Sequence, residues 1–251
     1  MNLWPFCKST RDVLKMNAAQ LDLALQKLAQ DSSFETKINA LQALVKYWHG
    51  EITPADGYAD AELAELQLPR ALRWWYSWAG KRTEVVSGDG VFASVEHLLS
   101  ADEFGRLWIW SENQGVFHRT VSAVGEDPLI YQSDWNGGDD GEWKCEGMSL
   151  LELLMQLCVF EAQSEYWGLA DIEESQLAAF TANVPRLPIS PWPAWDPAYK
   201  FAIGFFVGRG VYATVHDLAG AYTLMVQAKS PNELQWLYEL IPAEQWDSRE
   251  F

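Results

Sequence analysis

Residues 107–118 read LWIWSENQGVFH. Four large apolar residues, Leu107 to Trp110, run directly into the polar Ser111, Glu112, Asn113, Gln114 and Gly115. An aromatic and branched run of this length reads as a strand, and Asn113 to Gly115 supply the residues that reverse a chain. Because every position from Leu107 to Trp110 is apolar, the pattern predicts a central strand covered on both faces. Glu112 admits two readings: a catalytic carboxylate at the mouth of an aromatic pocket, or a side chain that hydrogen-bonds within the turn.

Working outward, further short apolar runs at Gly90 to Ala93, Arg106 to Trp110, Val116 to Ser122 and Leu129 to Gln132 are bounded by Gly, Pro, Asp and Asn. They predict strands joined by turns, with a helical insert from Ser94 to Phe104. Upstream, Leu14, Ala18, Leu21, Leu25 and Leu28 step by three and four, which predicts an amphipathic helix from Arg11 to Gln30. A second helix follows from Phe34 to Trp48. After a linker with Gly50, Pro54 and Gly57, Leu68-Pro69 opens a helix from Arg70 to Ala79, and Gly80 suits its end.

Downstream, the crowded leucines from Ser149 to Tyr166 predict a helix buried on much of its surface, and another is expected from Ile172 to Phe180. The prolines between Pro185 and Pro197 require an extended connection. KFAIGFFV, GVYATVHDL and YTLMVQAK then read as a three-stranded antiparallel meander, followed by a helix capped by Ser230-Pro231 with Glu233 in its first turn. GDGVFASV from Gly88 and GRGVYATV from Gly208 echo each other and suggest one hairpin solution used twice. The fold class expected is α+β, a central, largely antiparallel sheet flanked by helices, with residues 1–58 as a helical extension and 59–251 as the main domain.

The formal charge of −17 is unevenly placed. Residues 85 to 182 hold eighteen acidic side chains against Arg106, Arg119 and Lys144 alone. Segregation on this scale favours a basic partner and argues against nucleic acid, whose phosphates need the opposite sign. The longest apolar stretch, Phe201 to Val207, is far short of the ~20 residues of a membrane-spanning helix, and MNLWPFCKSTR has no signal-type apolar core, so a cytoplasmic, membrane-free protein is expected. Cys7, Cys145 and Cys158 are too widely spaced for a metal knuckle and read as reduced thiols, two of them buried.

Catalytic signatures are sparse. His49, His97, His118 and His216 are far apart, and no nucleophile elbow, Walker loop or dinucleotide fingerprint occurs. The segment from Asp134 to Glu142 is acidic enough to raise calcium, but Gly138, Asp139 and Cys145 stand where an EF-hand needs a ligand, a glycine and a glutamate. Fourteen tryptophans with many carboxylates raise a glycan site, in which Glu112 with Asp127 or Asp134 would have to lie about 5–9 Å apart. No cofactor or metal is indicated.

The order of features from Leu68-Pro through LWIWSENQG, Glu126-Asp-Pro-Leu-Ile-Tyr131, Trp143 and the Ser149-led helix to Phe160-Glu-Ala162 resembles the SUKH superfamily, which includes many bacterial immunity proteins that neutralise polymorphic toxins. The resemblance covers about residues 60 to 240 and departs from the compact pattern at the N-terminal helices. It implies a non-enzymatic protein that binds a cognate toxin domain, here a basic nuclease, and blocks it stoichiometrically. The acidic segment agrees, and the residues expected at the interface are Glu112, Asp134, Asp139, Asp140 and Glu142 as charge partners, with Trp135 and Trp143 as apolar anchors. The N-terminal helices offer a surface for a homodimer. A scaffold or regulatory binding module, and a carbohydrate-binding or hydrolytic protein, are the alternatives.

Overall fold

A computed structural model describes residues 18–88, 90–98, 101–115, 117–134, 143–162, 164–192, 201–218 and 221–250. The chain is α+β, and its described residues form two antiparallel five-stranded sheets with helices between and beside them. The first sheet is a simple meander of β1 (Val91–Phe92), β2 (Arg106–Ser111), β3 (Phe117–Ser122), β4 (Leu129–Asp134) and β5 (Lys144–Ser149). The second, built from β6 (Tyr166–Ile172), β7 (Phe201–Gly208), β8 (Val211–Leu218), β9 (Tyr222–Ala228) and β10 (Trp246–Glu250), runs in the order β10-β6-β9-β8-β7.

The opening stretch resolves differently from the expectation of a strand covered on both faces. A bulge falls between Trp108, which pairs with Thr120, and Trp110, which pairs with Arg119. The extra residue makes Ile109 and Trp110 point to the same packed side, where Leu107, Ile109 and Trp110 are all buried. Trp108 alone turns to the other face and is half-buried against the His97 ring.

Among the described residues the α-helices are α1 (Ala18–Gln30), α2 (Phe34–His49), α3 (Asp60–Leu63), α4 (Arg70–Ala79), α5 (Leu150–Phe160), α6 (Glu174–Asn183) and α7 (Pro231–Leu240). Helix α5 is the hub. All of its residues but Glu152 and Phe160 are buried, because it meets β4 and β5 on one side, β7 and β8 on another, and α2 and α4 between. Helix α2 is part of this same core: Leu41, Leu44 and Val45 are fully buried, and Tyr212 on β8 donates from its hydroxyl to the Leu44 carbonyl at 2.7 Å. The far face of the second sheet packs a separate cluster, in which Phe206, Ala213, Leu224 and Val226 meet Phe180 of α6 and Leu234 and Leu237 of α7.

Several local expectations are corrected. The helix expected to run from Ser149 to Tyr166 stops at Phe160, and Tyr166–Ile172 is a strand buried in the second sheet between β10 and β9. The insert expected from Ser94 to Phe104 is helical only as one 3₁₀ turn, Val95–Leu98. The two echoing GxGV segments do not share a hairpin. Gly208 pairs with Val211 across the two-residue turn Arg209-Gly210, both at positive φ, whereas Val91 and Phe92 form an edge strand against β2. Gly90 is required for packing instead: a Cβ there would lie 2.2 Å from the Trp110 ring.

The proline-rich connection has a clear role. Its described part, residues 185–192, runs antiparallel along β7, with Leu187 N–H donating to Phe205, Val207 N–H to Pro185, and Trp192 and Ile203 exchanging both bonds. It covers an edge strand with a segment whose prolines cannot template further pairing. Of the cysteines, Cys158 is buried and Cys145 is exposed, both as free thiols, and Cys7 lies outside the described residues.

Candidate partner-binding surface

The acidic segment is best understood by asking which of its carboxylates the fold itself uses. Asp127 accepts the Leu151 N–H at 2.9 Å and pairs with Lys37 of α2 at 3.0 Å, and the same ammonium reaches Glu152 at 3.5 Å and Ser149 at 2.8 Å. This network closes the N-terminus of α5, where Glu152 also accepts the Ser149 N–H, and bolts α2 to it. Glu126 pairs with Arg70, and Asp102 with Arg106 at 2.9 Å. Glu146, itself 3% exposed, holds the fully buried Arg119 through both carboxylate oxygens at 3.1 Å. Burial raises the Glu146 carboxyl and lowers the Arg119 guanidinium, and their mutual attraction opposes both shifts. Glu161, 3% exposed, accepts backbone N–H groups from Gly88 and Gly90 and fastens the end of α5 to that turn.

The other residues expected at the interface are placed as follows. Glu112 sits in the turn after β2, where its Oε2 accepts the Gln114 N–H at 2.9 Å and its carbonyl accepts the Gly115 N–H at 2.9 Å. Gly115 takes a φ of 69°, the left-handed value that closes the turn. Asp134 ends β4 opposite Phe117, so its backbone stands at the same end of the sheet as the Glu112 turn. Trp143 precedes β5, half-buried, with the Arg106 guanidinium 4.2 Å from its ring centroid. Trp135, Asp139, Asp140 and Glu142 lie outside the described residues. The meander thus brings Glu112 and Asp134 to one sheet end, from which the 135–142 segment also departs, and commits one face of Trp143 to an intramolecular stack.

Two further surface features lie on α4 and along β6. Trp74 and Trp78, one helical turn apart on α4, stack at 5.1 Å and are half-buried, while Trp75 and Tyr76 turn inward. Their spacing of four in the sequence was the available signal. A second acidic group, Glu165, Asp171, Glu173 and Glu174, is exposed along β6 and the start of α6. It was hidden by the misplaced helix boundary.

The histidines remain separate in role. His97 Nδ1 shares a hydrogen bond with Ser94 at 2.9 Å, and His118 Nδ1 meets Ser111, which also accepts from Trp108 Nε1 at 3.0 Å. Among the described residues no group of three or more His, Cys, Asp and Glu side chains could hold a metal ion, and no helix is long and apolar enough to cross a membrane. Comparisons with protein-family models, with curated proteins and with solved structures return no match.

Proposed function

We propose that this chain is a non-catalytic capture protein of the SUKH type, an immunity protein that binds a basic toxin domain, a nuclease, and neutralises it by stoichiometric occlusion. One observation carries the reading: eighteen acidic residues against three basic ones between 85 and 182. Several of those carboxylates are held by the fold, while Glu165, Asp171, Glu173 and Glu174 stand exposed along β6 and the start of α6 and Glu112 is half-buried in the turn after β2. A negative surface of this kind is complementary to a protein that must grip phosphates, and charge steering speeds its capture.

The test is co-expression with the product of the neighbouring gene, followed by co-purification and a toxicity-rescue assay in cytoplasmic expression. Rescue with a one-to-one complex is expected. Failure of both rescue and complex formation removes the reading. Pairing of two copies through the N-terminal helices would fall to α1, whose Leu23 is 54% exposed, since α2 is built into the core. The scaffold alternative draws on the half-buried Trp74 and Trp78 stack, and a partner that protects those indoles without conferring rescue would favour it.

A further inference from the structure

Five large apolar side chains stand exposed among the described residues, and three of them gather at one end of the first sheet: Phe104 at 65%, Val124 at 60% and Leu129 at 45%. The hydrogen bonds place them. Ala123 N–H donates to the Gly105 carbonyl at 2.9 Å, which sets the turn before β2 beside the turn after β3, and so Phe104 near Val124. Arg106 pairs with Ser122, and Val121 with Ile130, so Leu129 stands at the same border of the sheet, on the face opposite the buried Ile130. Exposed apolar residues scattered singly are ordinary, but a group of them at one place is the pattern of a contact site.

The group has a rim of one net sign. Glu35, Asp102, Glu103 and Glu126 are exposed around it, against Arg70 and Arg106. Both guanidiniums are already engaged. Arg70, whose backbone N–H donates to Gly125 of the turn after β3, pairs with Glu35 at 3.1 Å and with Glu126. Arg106 pairs with Asp102 at 2.9 Å, and its planar head lies 4.6 Å from the Phe104 ring centroid and 4.2 Å from that of Trp143. Four carboxylates against two guanidiniums leave a net charge of −2 at this border. An apolar centre inside a charged rim is the anatomy of a protein contact. A second copy of this chain would bring the same negative rim, on a chain of net charge −17, against itself, whereas a basic surface would be attracted.

We propose that this end of the first sheet is the docking surface for a basic protein partner, with Phe104, Val124 and Leu129 as its apolar centre. The proposal rests on the basic-partner reading above and deepens it. Arg106 opens β2 and Glu112 follows its other end, so contact is placed at the opposite end of the strands from Glu112 and Asp134, whose charge is left to steer the approach.

The test uses the full chain with labelled methyl groups and a small basic peptide, N-acetyl-Lys-Trp-Lys amide, against its acidic counterpart, N-acetyl-Glu-Trp-Glu amide. The basic peptide should shift the Val124 and Leu129 methyl signals saturably, and the acidic one should bind at least about fivefold more weakly. Phe104→Ser should weaken the basic peptide by about fivefold. Because Phe104 also stacks on Arg106, a second variant, Leu129→Ser, leaves that stack intact and should weaken the peptide as well, read at the Val124 methyls. Both substitutions are at exposed sites, so the melting temperature should stay within about 2 °C of the parent. Equal binding of the two peptides, no saturable shift, or undiminished binding in both variants would overturn the proposal. A concentration-dependent shift of the same methyls without peptide, together with a dimer mass, would assign the surface to a second copy and overturn it too. If a toxin is captured and cells are rescued while Phe104→Ser leaves the dissociation rate of that complex unchanged, the surface proposal fails alone. If the basic peptide binds at these methyls and no toxin is captured, the immunity reading fails while the docking surface stands.

Discussion

Arg119 and Glu146 show how costly a single residue can be in this fold. The guanidinium lies 3.9 Å from the Trp192 ring centroid and 5.1 Å from that of Trp110, and its carboxylate partner is nearly inaccessible. Removing one member leaves a charge in low dielectric, whereas replacing both with apolar side chains does not. Glu146→Leu should therefore lower unfolding free energy by about 3–5 kcal/mol, and Arg119→Met with Glu146→Leu should recover most of it, as read by urea denaturation. His49 gives a pH signature. Its imidazole is held down from 6.5 to about 4, chiefly by burial; Glu84 opposes the shift, and Arg82 and Lys229 add to it. The unfolded chain binds a proton between those values that the folded chain refuses, so this contribution is complete above pH 6.5 and falls away as pH drops toward 4. Comparing His49→Gln with the parent protein at neutral pH and at pH 5 should show the variant losing less on acidification, by roughly 1–2 kcal/mol.

At the scale of elements, the N-terminus of α5 is where separate parts of the chain are joined. Asp127→Ala would remove the acceptor of the Leu151 N–H and the nearest carboxylate partner of a Lys37 side chain that is only 12% exposed. A loss of about 2 kcal/mol is expected from the cap and the partly buried ion together, with Lys37→Met in the same background restoring part of it. The strongly patterned elements could be read in advance: β2 to β4, α5, the β7 to β9 meander and α7 all follow from periodicity and turn chemistry. Strand β6 could not, because YWGLADI follows a leucine-rich helix and its buried positions carry the small Gly168 and Ala170 while the bulky Trp167 and Leu169 are only half-buried. Gly168 is small for a tertiary reason, the Trp246 ring lying 2.4 Å from where a Cβ would be. Strand β10, WDSRE, is a polar edge and carries no apolar signal.

For the molecule as a whole, the expected interface was legible as charge and not as geometry. Composition located the acidic segment, but only tertiary structure separates Asp102, Glu126, Asp127, Glu146, Glu152 and Glu161, which serve the fold, from surface carboxylates such as Glu112. Reversing Asp139, Asp140 and Glu142 together to lysine should slow association with a basic partner by about tenfold or more and flatten its dependence on salt, measured by stopped-flow fluorescence. The melting temperature should stay nearly unchanged, and an unaltered association rate would take this loop out of the interface. The placement of α5 has a further consequence for how the protein is made. Its leucines are covered on one side by strands up to Ser149 and on the other by strands that begin at Phe201. A ribosome that has released residues up to 200 has delivered a helix with half of its burial still to come, and β6 must wait longer, for β9. Synthesis therefore passes through a stage in which apolar surface is offered to chaperones, and a premature stop before Ala228 leaves it there for proteases.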